Sequence, residues 1–177
     1  MLLASGTSMR LIDTAATSQW GIPSSVLIER AGVGAADMLL RLRPELRDEQ
    51  VVVVCGKGNN GCDGFVVAHH LSDEGAHVTV ALLGAVKELK GDAAAMAQVW
   101  QRIGEVVEIS PSGGKRQLEN VVGEADVIVD AVFGTGLSRA PEGIALIAVD
   151  AINAAGARGA YVFALDVPSG LHADDGS

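Results

Sequence analysis

Short, nearly unbroken apolar runs punctuate this chain, and each is followed by a glycine or polar loop. The first, Val51-Val52-Val53-Val54-Cys55, ends at Gly56. A run without polar alternation is what a strand buried on both faces needs. His77-Val78-Thr79-Val80-Ala81-Leu82-Leu83 predicts a second strand and Glu105-Val106-Val107-Glu108-Ile109 a short third. Asp126 to Val132 predicts a fourth, and Gly159 to Asp166 a fifth. Helical spacing occupies 63–71, 92–103, 118–122 and 141–155, and two helices precede the first strand. One runs over 9–16, with Thr7 or Ser8 as its cap, and is broken by Gly21-Ile22-Pro23. The other runs over 26–42 from Ser24 or Ser25, with Leu27, Ala31, Ala35, Met38 and Leu42 as its apolar face, and Pro44 closes it. The apolar residues of 92–103 are spread so widely that much of that helix must be buried. Strands alternating with helices predict an α/β sandwich with a mainly parallel sheet.

Composition narrows this picture. The 177 residues suit one domain and one core. They are 49% hydrophobic but only 3% aromatic, so the core must be built of Val, Leu, Ile and Ala. A formal net charge of −9 argues against a surface made for nucleic acid, and the only basic cluster, Lys115-Arg116, is too short to change that. An acidic protein still binds an anionic nucleotide when backbone N–H groups do the holding. No stretch has the ~18 apolar residues of a membrane span. Met1-Leu2-Leu3-Ala4-Ser5-Gly6-Thr7 lacks the charged and apolar regions of a signal peptide. Cys55 and Cys62 suggest neither a disulfide framework nor a metal pair, and the expectation is a reduced cytoplasmic protein. His69 and His70, inside a helix, are expected on its surface rather than as ligands.

The chemistry gathers in three loops, each after an apolar strand, where open α/β sheets bind their ligands. The first is Gly56-Lys57-Gly58-Asn59-Asn60-Gly61-Cys62-Asp63-Gly64. Its glycines permit tight turns, and the following helix offers free N–H groups to a phosphate. Its paired Asn side chains add amide oxygens, which suit a cation or a carboxamide. Gly56, Gly58 and Gly61 also fit the dinucleotide fingerprint, but no acid ends the next strand at Leu82-Leu83 to hold a ribose. The second loop runs from Asp130 to Arg139, and an Asp at the end of an apolar run needs a cation or a hydrogen-bond network. The third begins Asp166-Val167-Pro168-Ser169-Gly170, where a carboxylate at the sheet edge is a natural general acid or base. Plain turns remain the alternative for Asp130 and Asp166. Val-Pro-Ser-Gly is not a hydrolase nucleophile elbow.

These residues resemble the YjeF N-terminal domain family, whose enzymes are NAD(P)H-hydrate epimerases. Four segments carry the likeness in the family's order: Ile22-Pro23 with Leu27 to Gly32, Cys55 to Gly64, Asp130 to Leu137, and Asp166 to Gly170. The resemblance implies a Rossmann-like three-layer αβα sandwich, usually dimeric. It implies interconversion of the R and S hydrates of NADH and NADPH (NADHX and NADPHX), coupled to an ADP- or ATP-dependent dehydratase that takes only the S form. Carried over by position, the hydrate would contact Asn59, Asn60, Gly61, Cys62 and Asp63, then Gly134, Thr135, Gly136, Leu137, Ser138, Arg139 and Ala140, and Asp166. Asp166 matches the proton-transfer group, and Asn60, Asp130 and Ser169 would bind a potassium ion.

Two departures stand out. The family usually has glycine at Cys62, so a need for positive φ there would strain the loop, and an exposed thiol would be open to oxidation. The family's domain also continues for several strands beyond Ser177, so residues 1–177 read as a single domain whose C-terminal strands are missing. Two other functions remain open: a non-catalytic binding or scaffold module of the same fold, and a plain NAD(P)-dependent oxidoreductase. The intact loops weigh against the first. Asn59-Asn60 and the missing ribose acid weigh against the second.

Overall fold

A computed structural model describes residues 4–177, so the reading of Met1-Leu2-Leu3 as part of no signal peptide lies outside the described residues. The strands are β1 (Gln50–Cys55), β2 (His77–Leu82), β3 (Glu105–Glu108), β4 (Val127–Ala131) and β5 (Tyr161–Ala164). They form one sheet in the order β3-β2-β1-β4-β5, with each neighbouring pair parallel. The helices are α1 (Gly6–Ser18), α2 (Ser24–Leu42), α3 (Asn59–Asp73), α4 (Gly91–Trp100), α5 (Gly114–Gly123) and α6 (Ile144–Ala157).

The layers explain the unbroken apolar runs. Val51, Val53 and Cys55 of β1 face a core shared with Leu39 of α2, Phe65 and Leu71 of α3, and Trp100 of α4. Val52 and Val54 face a second core with Leu118 of α5 and Ile152 of α6. Both pleat faces of the central strand are therefore covered, as a parallel sheet requires. The chain winds from β1 through β2 to β3 on one side, then returns to build β4 and β5 on the other. The order reverses between β1 and β4, which is where such sheets form a crevice.

Several boundaries differ from the sequence-based expectations. Ser5, not Thr7 or Ser8, caps α1, accepting a hydrogen bond from the Ser8 N–H at 3.1 Å. On α2 the buried face is Gly32, Ala36 and Leu39, while Met38 and Leu42 are about half exposed. The buried face lies one position along from Ala31, Ala35 and Met38, because α2 approaches α3 most closely at Gly32, a residue without an apolar side chain. A Cβ at Gly32 would fall on the Val66 side chain. The α4 helix ends at Trp100, and Val99 and Ile103 stay exposed, so its apolar spread reflects only a narrow buried stripe of Ala93, Ala97 and Trp100. The α5 helix is longer than 118–122, and α6 starts at Ile144 rather than near residue 141. Short 3₁₀ turns at Leu46–Asp48 and Val86–Glu88 had no sequence signal. His69 and His70 lie on the outer side of α3 as expected, paired with Asp73 and Asp37.

Candidate active site

A cleft of about 610 Å³ runs along the C-terminal strand ends. Leu83 lines it after β2, Gly56-Lys57-Gly58 after β1, Val132 to Leu137 after β4, and Asp166 after β5. The first turn of α3 contributes Asn59, Asn60 and Asp63.

That turn corrects the reading of the first loop. The helix begins at Asn59, four residues earlier than the apolar pattern indicated, with Gly58 extended before it. No side chain caps it, and Asn59 and Asn60 of its first turn line the cleft, so the helix start is open to a phosphate. Gly61 packs against the strand end, and a Cβ there would run into the Gly56 carbonyl oxygen, which is backbone and cannot move aside. Gly61→Ala is expected to cost about 1–3 kcal/mol. A denaturant midpoint equal to that of the parent chain would show that the loop relaxes instead.

Cys62 lies within the helix and is 2% exposed. Among the described non-glycine residues, positive φ occurs at Asp166 and not at Cys62. The position therefore carries no strain. Burial, with Asp63 and Asp92 nearby, pushes the thiol up to about 12, so it forms no reactive thiolate. The family's glycine at this place is not required by backbone conformation.

Asp130, 4% exposed at the end of β4, is satisfied by a hydrogen-bond network. Ser169 donates to it through both its N–H (2.8 Å) and its hydroxyl (2.6 Å), and the Val132 N–H donates at 3.2 Å. The Ser169 hydroxyl in turn accepts from the Phe133 N–H at 2.8 Å. Asn60 donates through Nδ2 to the Phe133 carbonyl at 2.7 Å. The three residues expected as cation ligands are thus joined through the backbone of one residue, Phe133. Their donors are an amide oxygen, a carboxylate and a hydroxyl, a hard-oxygen set that suits an alkali cation and not zinc. Among the described residues no group of three or more His, Cys, Asp or Glu is placed to hold a metal.

Asp166 holds φ of 68°, a conformation unusual for a residue other than glycine. Its carboxylate accepts from the Thr135 N–H at 2.6 Å, and a Cβ at Gly134 would strike it. Asp63 faces the same cleft. Burial, then the charges of Asp166 and Asp13, raise its carboxyl to about 7. The two carboxyls therefore sit in one cleft.

Of the residues singled out in sequence, Asn59, Asn60, Asp63, Gly134, Thr135, Gly136, Leu137 and Asp166 meet in the cleft. Gly61 and Cys62 do not line it; they lie on the buried side of α3. Ser138, Arg139 and Ala140 also fall outside it, because the chain turns away toward α6 after Leu137. The helix expected over 9–16 carries no site signal in the sequence, yet Arg10 and Asp13 of α1 line the cleft. Arg10 donates to the Thr135 carbonyl at 3.1 Å, a contact between distant segments that no local pattern announces.

The profile of the family described as YjeF-related protein N-terminus matches residues 24–177. The chain is 38% identical to an NAD(P)H-hydrate epimerase of Pirellula staleyi, over 94% of its own length and 71% of the relative's. It is 36% identical to one of Rhodopirellula baltica, over 95% and 65%. It is 35% identical to the bifunctional NAD(P)H-hydrate repair enzyme Nnr of Moorella thermoacetica, over 99% of this chain but 33% of that protein, so it spans about a third of that relative. The crystal structure of the yeast protein ynu0 superposes with a TM-score of 0.79 at 24% identity, covering 97% of this chain and 72% of that one, which establishes the Rossmann-like fold. The chain belongs to the YjeF-related N-terminal domain family.

Proposed function

We propose that this chain is an NAD(P)H-hydrate epimerase, interconverting the R and S forms of NADHX and NADPHX. The observation that carries this reading is the pairing of Asp63 and Asp166 in one cleft with the uncapped start of α3.

Hydration of the enamine in a reduced nicotinamide puts a hydroxyl on the carbon next to the ring nitrogen. Inverting that carbon requires its C–O bond to break and to re-form on the opposite face. The nitrogen lone pair expels the hydroxyl most easily when an acid protonates it. Asp63, disposed to keep its proton, would supply that proton, releasing water and leaving a ring iminium. Water then adds from the other face, with Asp166 accepting its proton, and proton exchange between the two carboxyls restores the start. No net water or electrons are consumed. The N–H groups at the start of α3 would hold the pyrophosphate.

Asn60, Asp130 and Ser169, with the Phe133 carbonyl, are the residues that would hold a potassium ion, which would supply positive charge to the site. The reading extends to one YjeF N-terminal-type domain over residues 1–177, a homodimer, a cytoplasmic setting and action beside an ADP- or ATP-dependent dehydratase. No helix among the described residues is long and apolar enough to cross a membrane.

The test is incubation of the chain with the separated R hydrate, following appearance of the S hydrate by chromatography. Epimerisation well above the spontaneous rate is expected, and Asp166→Asn should lower it ~10²-fold or more. A rate equal to that in buffer would overturn the proposal.

A further inference from the structure

The cleft crosses the sheet in strand order, which divides it into stations. Adjacent strands lie ~4.8 Å apart, so the path from β5 to β2 is about 14 Å across the strand ends. If the nicotinamide ring lies against Asp63 and Asp166 and the phosphates lie at the start of α3, as the proposed function has them, the end of the cleft at Leu83 is left for the adenosine. At that end Lys57, which lines the cleft after β1, is paired with Glu88 at 3.1 Å.

The sequence offered no acid at Leu82-Leu83, where dinucleotide-binding folds hold the ribose hydroxyls. The structure supplies one from a few residues later. The 3₁₀ turn Val86–Glu88 folds back, so that Glu88 lies over Gly84 just past β2. Gly84 has φ of 137°, and a Cβ there would meet the Glu88 carboxylate at 2.9 Å and the Lys57 side chain at 3.0 Å. The absence of a side chain at Gly84 makes room for the pair. The Glu88 carboxylate also accepts from the Ala85 N–H at 3.5 Å, and Glu108 holds the Val86 N–H at 2.7 Å. Lys57 and its neighbour Lys87 keep the Glu88 carboxyl below its usual range, so it is ionised.

We infer that the Lys57–Glu88 pair reads the 2′ position of the adenosine ribose and favours a 2′-hydroxyl dinucleotide hydrate over its 2′-phosphate counterpart. Glu88 accepts a hydrogen bond from a 2′-hydroxyl. It repels a 2′-phosphate, and Lys57, already engaged by Glu88, offers that phosphate only part of its charge. Lys57 and Glu88 are thus specificity-determining residues, remote from the reacting carbon. This assignment rests on the epimerase reading for the placement of the adenosine.

The test separates the two claims. Calorimetric affinities of the full chain for ADP-ribose and for 2′-phospho-ADP-ribose are compared in the parent, Glu88→Gln and Lys57→Met. Both side chains are about half exposed, and thermal melting checks that the variants fold. The parent is expected to prefer ADP-ribose. Glu88→Gln should shift the affinity ratio about fivefold toward the 2′-phosphate, and Lys57→Met should shift it the other way. A ratio within twofold of the parent in Glu88→Gln, or shifts of the same sign in both variants, would overturn the inference. Epimerisation assayed on the same preparations judges the function independently. An active chain with an unmoved ratio removes the ribose assignment alone, whereas a moved ratio in an inactive chain keeps it and removes the epimerase reading.

Discussion

Asp63→Asn should melt at a higher temperature than the parent at pH 8 and lose most of its epimerisation. Ionised Asp63 is held half-buried in a cleft with Asp166 after β5 and Asp13 on α1, and it also faces Asp92 on α4 across a side branch of that cleft. Its folded-state pKa, about 7, lies above the ordinary carboxyl value of 3.8. A raised carboxyl pKa means that the folded chain binds more protons than the unfolded one between those two values. Its contribution to stability is therefore full below about pH 4, falls as pH rises, and is gone above about 7. Asparagine removes this dependence. The melting difference between variant and parent should be near zero at pH 4 and grow to roughly 3–6 °C at pH 8. Activity moves the opposite way, because asparagine cannot donate the proton, and a loss of ~10²–10⁴-fold is expected. In the parent, kcat/KM should fall above about pH 7 as Asp63 ionises. A variant that keeps parental activity would remove Asp63 from the chemistry, and a flat melting difference across pH would contradict its raised pKa.

The second large effect concerns stability. Asp130→Ala removes the acceptor of the Ser169 N–H, the Ser169 hydroxyl and the Val132 N–H in a buried place. Each stranded buried donor costs about 1–3 kcal/mol, and water reaching the new space recovers part of this, so a loss of about 3–4 kcal/mol is expected in urea unfolding. Ser169→Ala should cost less, about 1–2 kcal/mol, because it strands chiefly the Phe133 N–H. A loss below 1 kcal/mol for Asp130→Ala would show that the network is dispensable to the fold and that Asp130 is kept for a ligand alone.

The strands were readable in the sequence because both faces of a parallel strand are apolar, and Val51 to Cys55 or Ile128 to Val129 leave no other arrangement. The three strand-end loops followed from that. The start of α3 was not readable, since Asn-Asn-Gly is a poor helix-forming sequence. It is helical because Gly61 allows the turn to pack on the Gly56 carbonyl, a contact visible only in three dimensions. The buried face of α2 is shifted by one position from its apolar stripe, because its close contact with α3 falls on Gly32, which has no side chain to mark it in the pattern. Arg10 and Asp13 carried no signal, because their role depends on α1 lying over a loop distant in the chain. Glu88 carries no signal at the strand end itself, because the 3₁₀ turn delivers it from farther along.

The strand order also bears on how the protein reaches its working form. Central β1 pairs with the nearby β2, but also with β4, matching Val51 to Val127, and β4 must then recruit β5. Pairings between distant segments form slowly, because a long loop must close before any contact repays it. The Asp130–Ser169 network spans the last of these joins, from the end of β4 to the turn after β5. A nascent chain with β1 to β3 in place would therefore already display the uncapped start of α3, yet have no Asp166 opposite Asp63. Competence for chemistry would arrive with the closing of the sheet, so a kinetic intermediate of this protein should be able to grip a phosphate before it is able to turn over a substrate.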